Sequence, residues 1–388
     1  MNRAARIAHI QPFRVMELLA RARALEATGR SIVHMEIGEP DFPTPAPILA
    51  AGRRALDAGY THYTDAVGLL ALRRAIADFY RQRHGVAVDP GQVVITPGAS
   101  GALLLVLALL VDEGREVLLP DPGYPCNRNF VHLLGGRPRS VPVDAASGFQ
   151  VDRARLAAAA GPQTAAAMLA SPANPTGTVL SRRTLAEIAD WAASANIALV
   201  VDEIYQGLVY GANAPSALEV SPRAFVINSF SKYFGMTGWR LGWLVAPEEY
   251  VGDLDKLAQN LFLAAATPSQ HAALAAFEPD TLQILEQRRD AFRSRRDFLL
   301  PALRDLGFVI PVEPEGAFYI YADCSRFTTD SVAFCQRLLD EAGVCLTPGL
   351  DFGEHRPDTH VRFAYTTSLA QLEEGMRRLR EHLSRGEI

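Results

Sequence analysis

The sequence predicts an α/β fold in which helices connect the strands of a mostly parallel sheet. Short apolar runs rich in Val, Ile and Leu alternate with longer amphipathic stretches, which is the pattern of strands joined by crossover helices. With 388 residues, 49% of them hydrophobic and 21% charged, the chain is long enough for two or three globular domains. After Pro279 the pattern changes to a long charged helix followed by interspersed strands and helices, which predicts a second, smaller α+β domain.

The individual elements are predicted from apolar runs and from helical periodicity. Strands of the main sheet are predicted at Val93–Thr96, Glu116–Leu119, Ala166–Ala170, Ile197–Val201, Ala224–Asn228 and Leu241–Val245. Helices are predicted near Gly68–His84, Ser100–Val111, Ser181–Ala195 and Glu248–Ala265. In the C-terminal part we expect a helix over 282–306 and strands near 317–321 and 360–365. A helix is also predicted at 13–29, and the apolar segment 10–13 before it predicts a terminal arm that docks on another surface.

Charge, cysteines and hydropathy exclude several functional classes. The formal net charge is -5 and the basic residues are scattered, so no basic face for nucleic acid is expected. The four cysteines show no CxxC spacing, which argues against a disulfide framework or a zinc site and predicts reduced core residues. The N-terminus lacks the apolar segment of a secretory signal, and the apolar run at 101–111 is too short to cross a bilayer. We therefore expect a soluble, cytoplasmic protein.

Lys232 is the first candidate for chemistry. It lies just beyond an apolar strand, with Ser229 before it and Arg240 after it. Desolvation at such a position lowers the pKa of an amine toward use as a nucleophile in a Schiff base. Ser229 and Arg240 offer hydrogen-bond donors to a phosphate. The alternative interpretation is a solvent-exposed lysine in a loop.

Other strand ends carry polar groups that suit the same site. Asp202 ends an apolar strand, with Tyr205 shortly after it, and ligands of open α/β sheets bind at the carboxyl ends of strands. A carboxylate there can pair with a pyridinium nitrogen, although it can also be a simple helix cap. Asn174 follows another apolar strand, in a rigid turn, and its amide can bond a phenolate oxygen. The glycine-bearing passage 96–101, from a strand into a helix, suits an anion.

In their order and spacing, these segments resemble the class I/II aminotransferases of the fold type I pyridoxal-phosphate enzymes. The resemblance covers nearly the whole chain. Its segments are Gly38–Phe42 with Thr44 and Pro45, His62–Thr64, Gly68, Asp121–Pro125, Asn174–Gly177, Asp202 with Tyr205, Ser229–Lys232, Arg240 and Val361–Phe363. The chain departs from the pattern at Phe363 and Ala364, where the family more often has Ile-Ser.

The resemblance implies pyridoxal 5'-phosphate as cofactor and a role for each matched residue. Lys232 would form the Schiff base with the cofactor and transfer the proton during catalysis, and Asp202 would bind the pyridine nitrogen. The other cofactor contacts it implies are Tyr205 and Asn174 to the ring oxygen O3', Tyr124 on the ring face, and Gly98, Ala99, Ser100, Ser229, Arg240 and the other subunit's Tyr63 at the phosphate. Arg362, Gly38 and Asn174 would hold the substrate, with Arg362 as the clamp for its α-carboxylate.

The resemblance also implies an architecture and an assembly. It implies a large cofactor-binding domain at 46–280 with a seven-stranded sheet, and a smaller domain at 281–388. Residues 1–45 would supply an arm and part of the smaller domain. The family assembles as homodimers with shared active sites.

The function that the resemblance implies is transfer of an amino group between an amino acid and a 2-oxo acid by a ping-pong mechanism. The bacterial aspartate enzymes of the family carry a lysine in a Gly-Gly-Lys turn, where this chain has Gly98-Ala99-Ser100. Burying a second carboxylate without a cation is costly, so a neutral aliphatic or aromatic substrate is expected. A β-lyase or other elimination enzyme of the same fold is an open alternative. A more remote one is a non-catalytic ligand-binding module, which usually carries a DNA-binding segment that we do not find before Gly38.

Overall fold

The computed structural model describes residues 3–211 and 214–384. Residues 1, 2 and 385–388, at the outer ends of the expected domains, lie outside the described residues, as do 212 and 213. The strands are β1 (Val33–His34), β2 (Val93–Thr96), β3 (Glu116–Asp121), β4 (Arg137–Pro142), β5 (Thr164–Ala170), β6 (Ala198–Asp202), β7 (Phe225–Ser229), β8 (Gly242–Val245), β9 (Tyr319–Asp323), β10 (Val344–Cys345), β11 (Thr347–Pro348) and β12 (His360–Ala364). The helices are α1 (Arg14–Ala27), α2 (Ala46–Asp57), α3 (Leu70–His84), α4 (Gly98–Leu110), α5 (Pro125–Leu133), α6 (Arg153–Ala159), α7 (Arg182–Ser194), α8 (Glu248–Leu261), α9 (Thr267–Leu274), α10 (Pro279–Leu306), α11 (Ser331–Arg337) and α12 (Leu369–Ser384).

The main sheet has seven strands in the order β2-β8-β7-β6-β5-β3-β4. All neighbouring strands are parallel except β8, which is antiparallel to both β2 and β7. This confirms the predicted α/β fold with a mostly parallel sheet. Successive side chains of each central strand enter two separate cores: Val200 packs in the core that contains α4 and α8, and Val201 in the one that contains α7. Because helices cover both faces, the strands are continuous apolar runs.

Several elements differ from those predicted: helices α2, α5, α6 and α9 were not predicted, and the strand expected near 317–321 begins at Tyr319. Strand β4 was missed because it lies at the edge of the sheet, where Arg137 and Arg139 face solvent and interrupt the apolar pattern. The helix predicted over 248–265 ends at Leu261, because Leu263 adopts a left-handed conformation (φ 62°) and a new helix begins at Thr267.

The C-terminal part forms a smaller α+β arrangement. Strands β11, β12 and β9 make a three-stranded antiparallel sheet next to helices α10, α11 and α12. The N-terminal strand β1 pairs in parallel with β10, with Val33 opposite Val344. The beginning of the chain is therefore built into its C-terminal part.

The N-terminal arm docks on helix α5 of the same chain. Arg6 donates to the carbonyl of Leu133 at 2.9 Å, and the Gln11 N–H donates to the Asn129 side chain at 3.3 Å. The His9 ring stacks on the His132 ring at 5.2 Å.

Of the four cysteines, Cys126 on α5 is half-buried rather than in the core, and the other three are buried. Within the described residues, no helix combines the length and the apolar character needed to span a membrane.

Candidate active site

A cavity of about 510 Å³ opens at the carboxyl ends of β5, β6 and β7, where Ala170, Asp202 and Ser229 end these three strands. Parallel strands that follow one another in this way bring their final residues to one edge of the sheet. The residues predicted from sequence that line it are Gly38, Ala99, Ser100, Tyr124, Asn174, Asp202, Tyr205, Ser229, Lys232, Arg240 and Arg362. Gly98 lies beside it, against the Arg240 side chain. Tyr63 does not line it, and its side chain is 82% exposed.

Lys232 enters the cavity from the loop after β7. Its Nζ donates to the carbonyl oxygen of Gly38 at 2.6 Å, so the amine bridges the loop and the N-terminal segment. Burial lowers the pKa of Lys232 to about 8, although the charge of Glu39 opposes the shift. A sizeable fraction of this amine is therefore neutral, and nucleophilic, near neutral pH.

Asp202 is the last residue of β6 and is 6% exposed. Its Oδ1 accepts the N–H of Ile204 at 3.0 Å. Burial raises the pKa of Asp202 to about 6, while the Ile204 hydrogen bond and the charge of Lys232 act in the opposite direction. A cationic ring nitrogen in the cavity would supply the charge that this buried carboxylate lacks.

One end of the cavity is suited to an anion. Helix α4 starts there at Gly98, and no side chain within 3–211 or 214–384 caps its first turn, so its N–H groups are available. Gly98 has φ 71°, and a Cβ in its place would lie 2.7 Å from a guanidinium nitrogen of Arg240, so glycine leaves room for that cation. Ser229 Oγ lies 2.9 Å from the hydroxyl of Ser231, which also lines the cavity. The sequence analysis did not select Ser231, although its position two residues after Ser229 was a signal for it.

Arg362 on β12 is 3% exposed, and among the described residues no carboxylate lies within ion-pairing distance of it. Its Nη1 donates to Asn174 Oδ1 at 2.9 Å, and its Nη2 donates to the carbonyl of Glu36 and to Thr347 at 3.3 Å. Nε is buried and has no hydrogen-bond partner among the residues that the structure describes. A buried cation with unused donors needs an anion, and the cavity is where one can reach it.

The bond from Arg362 also orients the amide of Asn174. Because a guanidinium only donates, the Asn174 oxygen must face it. The Asn174 NH₂ group is thereby left free to donate to an oxygen in the cavity.

Helix α1 forms an apolar wall that the sequence analysis did not predict. The apolar lining residues are Val15, Met16 and Leu19 of α1 and Phe13 just before it, and Arg23 of α1 adds a charged side chain. A helical face with this spacing is visible in the sequence, but which surface it covers depends on tertiary packing. Tyr319 on β9 also lines the cavity and was not predicted.

The chain is similar in sequence and in structure to known proteins. The sequence model of the family described as aminotransferase class I and II matches residues 30–379. Valine–pyruvate aminotransferase of Mycobacterium tuberculosis is 40% identical over 97% of this chain and 98% of that protein. Arginine–pyruvate transaminase of Pseudomonas aeruginosa is 36% identical, with 92% of each chain covered. Among solved structures, aspartate aminotransferase from Thermus thermophilus with maleate has a TM-score of 0.93 at 34% identity and covers 98% of this chain and 99% of that one.

Proposed function

The chain belongs to the class I and II aminotransferase family and is a transaminase, and from this premise we propose that it binds pyridoxal 5'-phosphate in the cavity described above. We propose a ping-pong reaction between an amino acid and a 2-oxo acid, with a neutral aliphatic or aromatic amino acid as one substrate. The observation that carries the proposal is the meeting, in one cavity, of the buried Lys232 and Asp202 with the uncompensated guanidinium of Arg362.

The residues present fit the cofactor. Lys232 would hold it covalently, and Asp202 would hold its ring nitrogen. The remaining contacts would be Tyr205 and the Asn174 NH₂ group at the ring oxygen, Tyr124 at the ring face, and Gly98, Ala99, Ser100, Ser229 and Arg240 at the phosphate. When bound, the cofactor supplies an electron sink for the substrate's Cα–H bond.

The chain's own groups carry out substrate binding and proton transfer. The unused donors of Arg362 would take the α-carboxylate, and Gly38 and Asn174 border the same space. This clamp orients the Cα–H bond toward the amine of Lys232, whose Nζ would take up and return the proton. Since every amino acid and 2-oxo acid carries the same carboxylate, one clamp serves both half-reactions.

The lining also supports a neutral substrate. Ser100, which lines the cavity, occupies the position at which the bacterial aspartate enzymes of the family carry a lysine, and α1 offers an apolar wall. Apolar contact favours aliphatic or aromatic side chains by about 25 cal/mol per Å². Arg23, exposed and without an ion-pair partner among the described residues, lies at the far end of this wall. It would meet the distal carboxylate of glutamate, which would serve together with its 2-oxo acid as the second substrate couple of the reaction.

A panel of substrates tests this assignment. We expect kcat/KM for alanine, leucine or phenylalanine to exceed that for aspartate, and Arg23→Gln to lower kcat/KM for glutamate but not for leucine. A clear preference for aspartate would refute the neutral-substrate assignment. Product formed over many turnovers without any added 2-oxo acid, beyond one equivalent per site, would instead indicate an elimination enzyme.

The cofactor site is tested by chemical trapping. The chain contains only two lysines, Lys232 and Lys256, and the Lys256 side chain is 73% exposed. Purified protein should be yellow, and borohydride should fix the cofactor to the peptide of Lys232 in both the native chain and Lys256→Arg. Label on Lys256 would overturn the assignment. Lys232→Ala should lose roughly 100- to 10,000-fold or more in rate, because it removes the group that transfers the proton.

A further inference from the structure

We propose that Tyr319 is a positioning residue that couples the hydroxyl of Tyr205 to the carboxylate clamp Arg362. The inference deepens the proposed function and rests on it. Tyr319 begins β9, lines the cavity and is 1% exposed. Its hydroxyl lies 2.9 Å from that of Tyr205, and its ring centroid lies 4.2 Å from the guanidinium carbon of Arg362.

The hydroxyl of Tyr319 sets the direction of a short hydrogen-bond chain. A phenol has a single proton to donate. If Tyr205 directs its proton to a cofactor oxygen, it can only accept at the Tyr319 contact, so Tyr319 must be the donor there. Among the described residues, Tyr319 makes no other side-chain hydrogen bond. Burial raises the pKa of both phenols, so both keep the protons that this chain requires.

A donor behind Tyr205 strengthens the bond that Tyr205 gives, because successive hydrogen bonds polarise one another. Tyr319 would therefore help Tyr205 to stabilise negative charge on the cofactor's ring oxygen. Hydrogen bonds that stabilise this negative charge favour the form of the cofactor site that has lost a proton. The nitrogen that would join Lys232 to the cofactor is therefore easier to deprotonate. The pH midpoint of the bound cofactor's visible absorption should thus depend on Tyr319.

The ring of Tyr319 acts on the other side of the site. The guanidinium of Arg362 contacts the rings of both Tyr319 and Phe352, and the Phe352 ring centroid is 4.8 Å from its guanidinium carbon. Contact with these two rings restricts the orientations in which the guanidinium presents its free donors. The Tyr319 hydroxyl also fits against Gly38, where a Cβ would overlap it. One side chain therefore touches the clamp, the phenol and the backbone that accepts from Lys232.

The test separates these roles with two substitutions. Tyr319→Phe keeps the ring and should raise the absorption midpoint by roughly 0.3 to 1 pH unit, which is a two- to tenfold change in the proton equilibrium. The KM for the amino acid should change less than about twofold in this variant, since the ring remains. Tyr319→Leu removes the ring and should raise KM by roughly tenfold, which corresponds to about 1.4 kcal/mol.

A double-mutant cycle decides whether Tyr319 acts through Tyr205. In the Tyr205→Phe background, Tyr319→Phe should no longer move the midpoint. An equal shift in both backgrounds, or none in either, would overturn the proposal. Equal KM values for Tyr319→Phe and Tyr319→Leu would overturn the role of the ring.

Tyr321 provides the matched control. It is on the same strand, is 5% exposed, and its hydroxyl makes no hydrogen bond within the described residues. Tyr321→Phe should leave the absorption midpoint and KM unchanged, and a shift as large as that of Tyr319→Phe would count against the proposal. If the native chain shows neither a visible cofactor band nor borohydride labelling, it is the proposed function that fails instead.

Discussion

Lys232 and Asp202 have pKa values shifted in opposite directions, to about 8 and about 6, and burial is the leading cause of both shifts. Burial disfavours the charged form of each group. The site therefore contains an amine that is partly neutral at neutral pH. This state prepares Lys232 to react with an aldehyde.

The pKa of Lys232 gives a pH prediction. In cofactor-free Lys256→Arg protein, Lys232 is the single lysine, so acylation measured on the peptide of Lys232, separated from the N-terminal peptide, reports on it alone. Because burial lowers the pKa of Lys232, the neutral fraction of its amine should rise with a midpoint near pH 8. An unperturbed lysine has a pKa of about 10.4. The measurement is the labelling rate against pH, with a lysine peptide as reference. A midpoint equal to that of the peptide would contradict the prediction.

Behind the clamp, His34 neutralises a buried carboxylate. Its Nδ1 lies 2.7 Å from Glu36 Oε1 and its Nε2 lies 3.2 Å from Glu26 Oε1. Glu36 is fully buried, and its carbonyl is one of the acceptors of Arg362. The hydrogen bond to Glu36 raises the pKa of His34 to about 9, against the effect of burial. The imidazolium therefore supports the backbone that holds Arg362.

This pair predicts a pH dependence of stability. Because the folded pKa is raised, the contribution of His34 is full below its ordinary pKa of 6.5 and is lost as the pH rises through about 9. At neutral pH, His34→Gln should lower the free energy of unfolding by roughly 1–3 kcal/mol, since it leaves a buried acceptor without its charged partner. Denaturant titrations across this pH range would measure it. A difference between the two proteins that stays constant up to about pH 10 would contradict it.

At the scale of elements, helix α1 is held over the cavity by a carboxylate from the C-terminal part of the chain. Asp351 accepts the N–H groups of Arg14 and Val15 at 3.2 and 2.9 Å, which are the first N–H groups of α1. No side chain of α1's own N-terminal region caps it. Asp351 thus positions the apolar wall of the substrate cavity.

Substitution of this cap should affect both stability and substrate binding. Asp351→Ala should cost about 1 kcal/mol, as for other N-caps, and should raise KM because α1 loses its anchor. Asp330, which caps α11 by accepting from Val332 and Ala333, is a matched control outside the cavity lining. Asp330→Ala should cost a similar free energy and leave KM unchanged. Equal effects of both variants on KM would show that α1's anchor has no specific role.

At the scale of the whole molecule, we propose the two-domain division expected from sequence, with residues 46–280 as the large domain and 281–388 as the smaller one. Residues 1–45 would complete the smaller domain. The parallel pairing of β1 with β10 supports this proposal.

We also propose a homodimer with shared active sites. Large apolar side chains are exposed around the segment that carries Tyr63, among them Tyr60, Leu261 and Leu263. The His62 carbonyl accepts from Thr267, at the start of α9, which places this segment beside the residues that follow α8. A second copy that covers this surface would bury the apolar groups and bring Tyr63 to the neighbour's phosphate site.

Hybrid dimers test the shared site. Mixing Tyr63→Phe with Lys232→Ala subunits would place both lesions in one site of the hybrid and leave the other intact. Under cofactor concentrations at which each parent is nearly inactive, random mixing should restore about a quarter of the native activity, since half of the dimers are hybrids. Hybrids that form without any recovery would show that each site is built from one chain.

The sequence by itself determined the fold class, most strands of the sheet and much of the list of candidate residues. Strands that are buried on both faces are mostly apolar, so runs such as 198–202 and 225–229 are recognisable in the sequence. Polar residues at the ends of such runs meet at one edge of the sheet. Only the tertiary structure decided that, among the described residues, no carboxylate lies within ion-pairing distance of Arg362, that Tyr319 meets Tyr205, and that α1 closes one side of the cavity. These contacts join residues far apart in the chain, and they depend on the register of β9 against β12 and on how α1 packs, neither of which leaves a local pattern in the sequence.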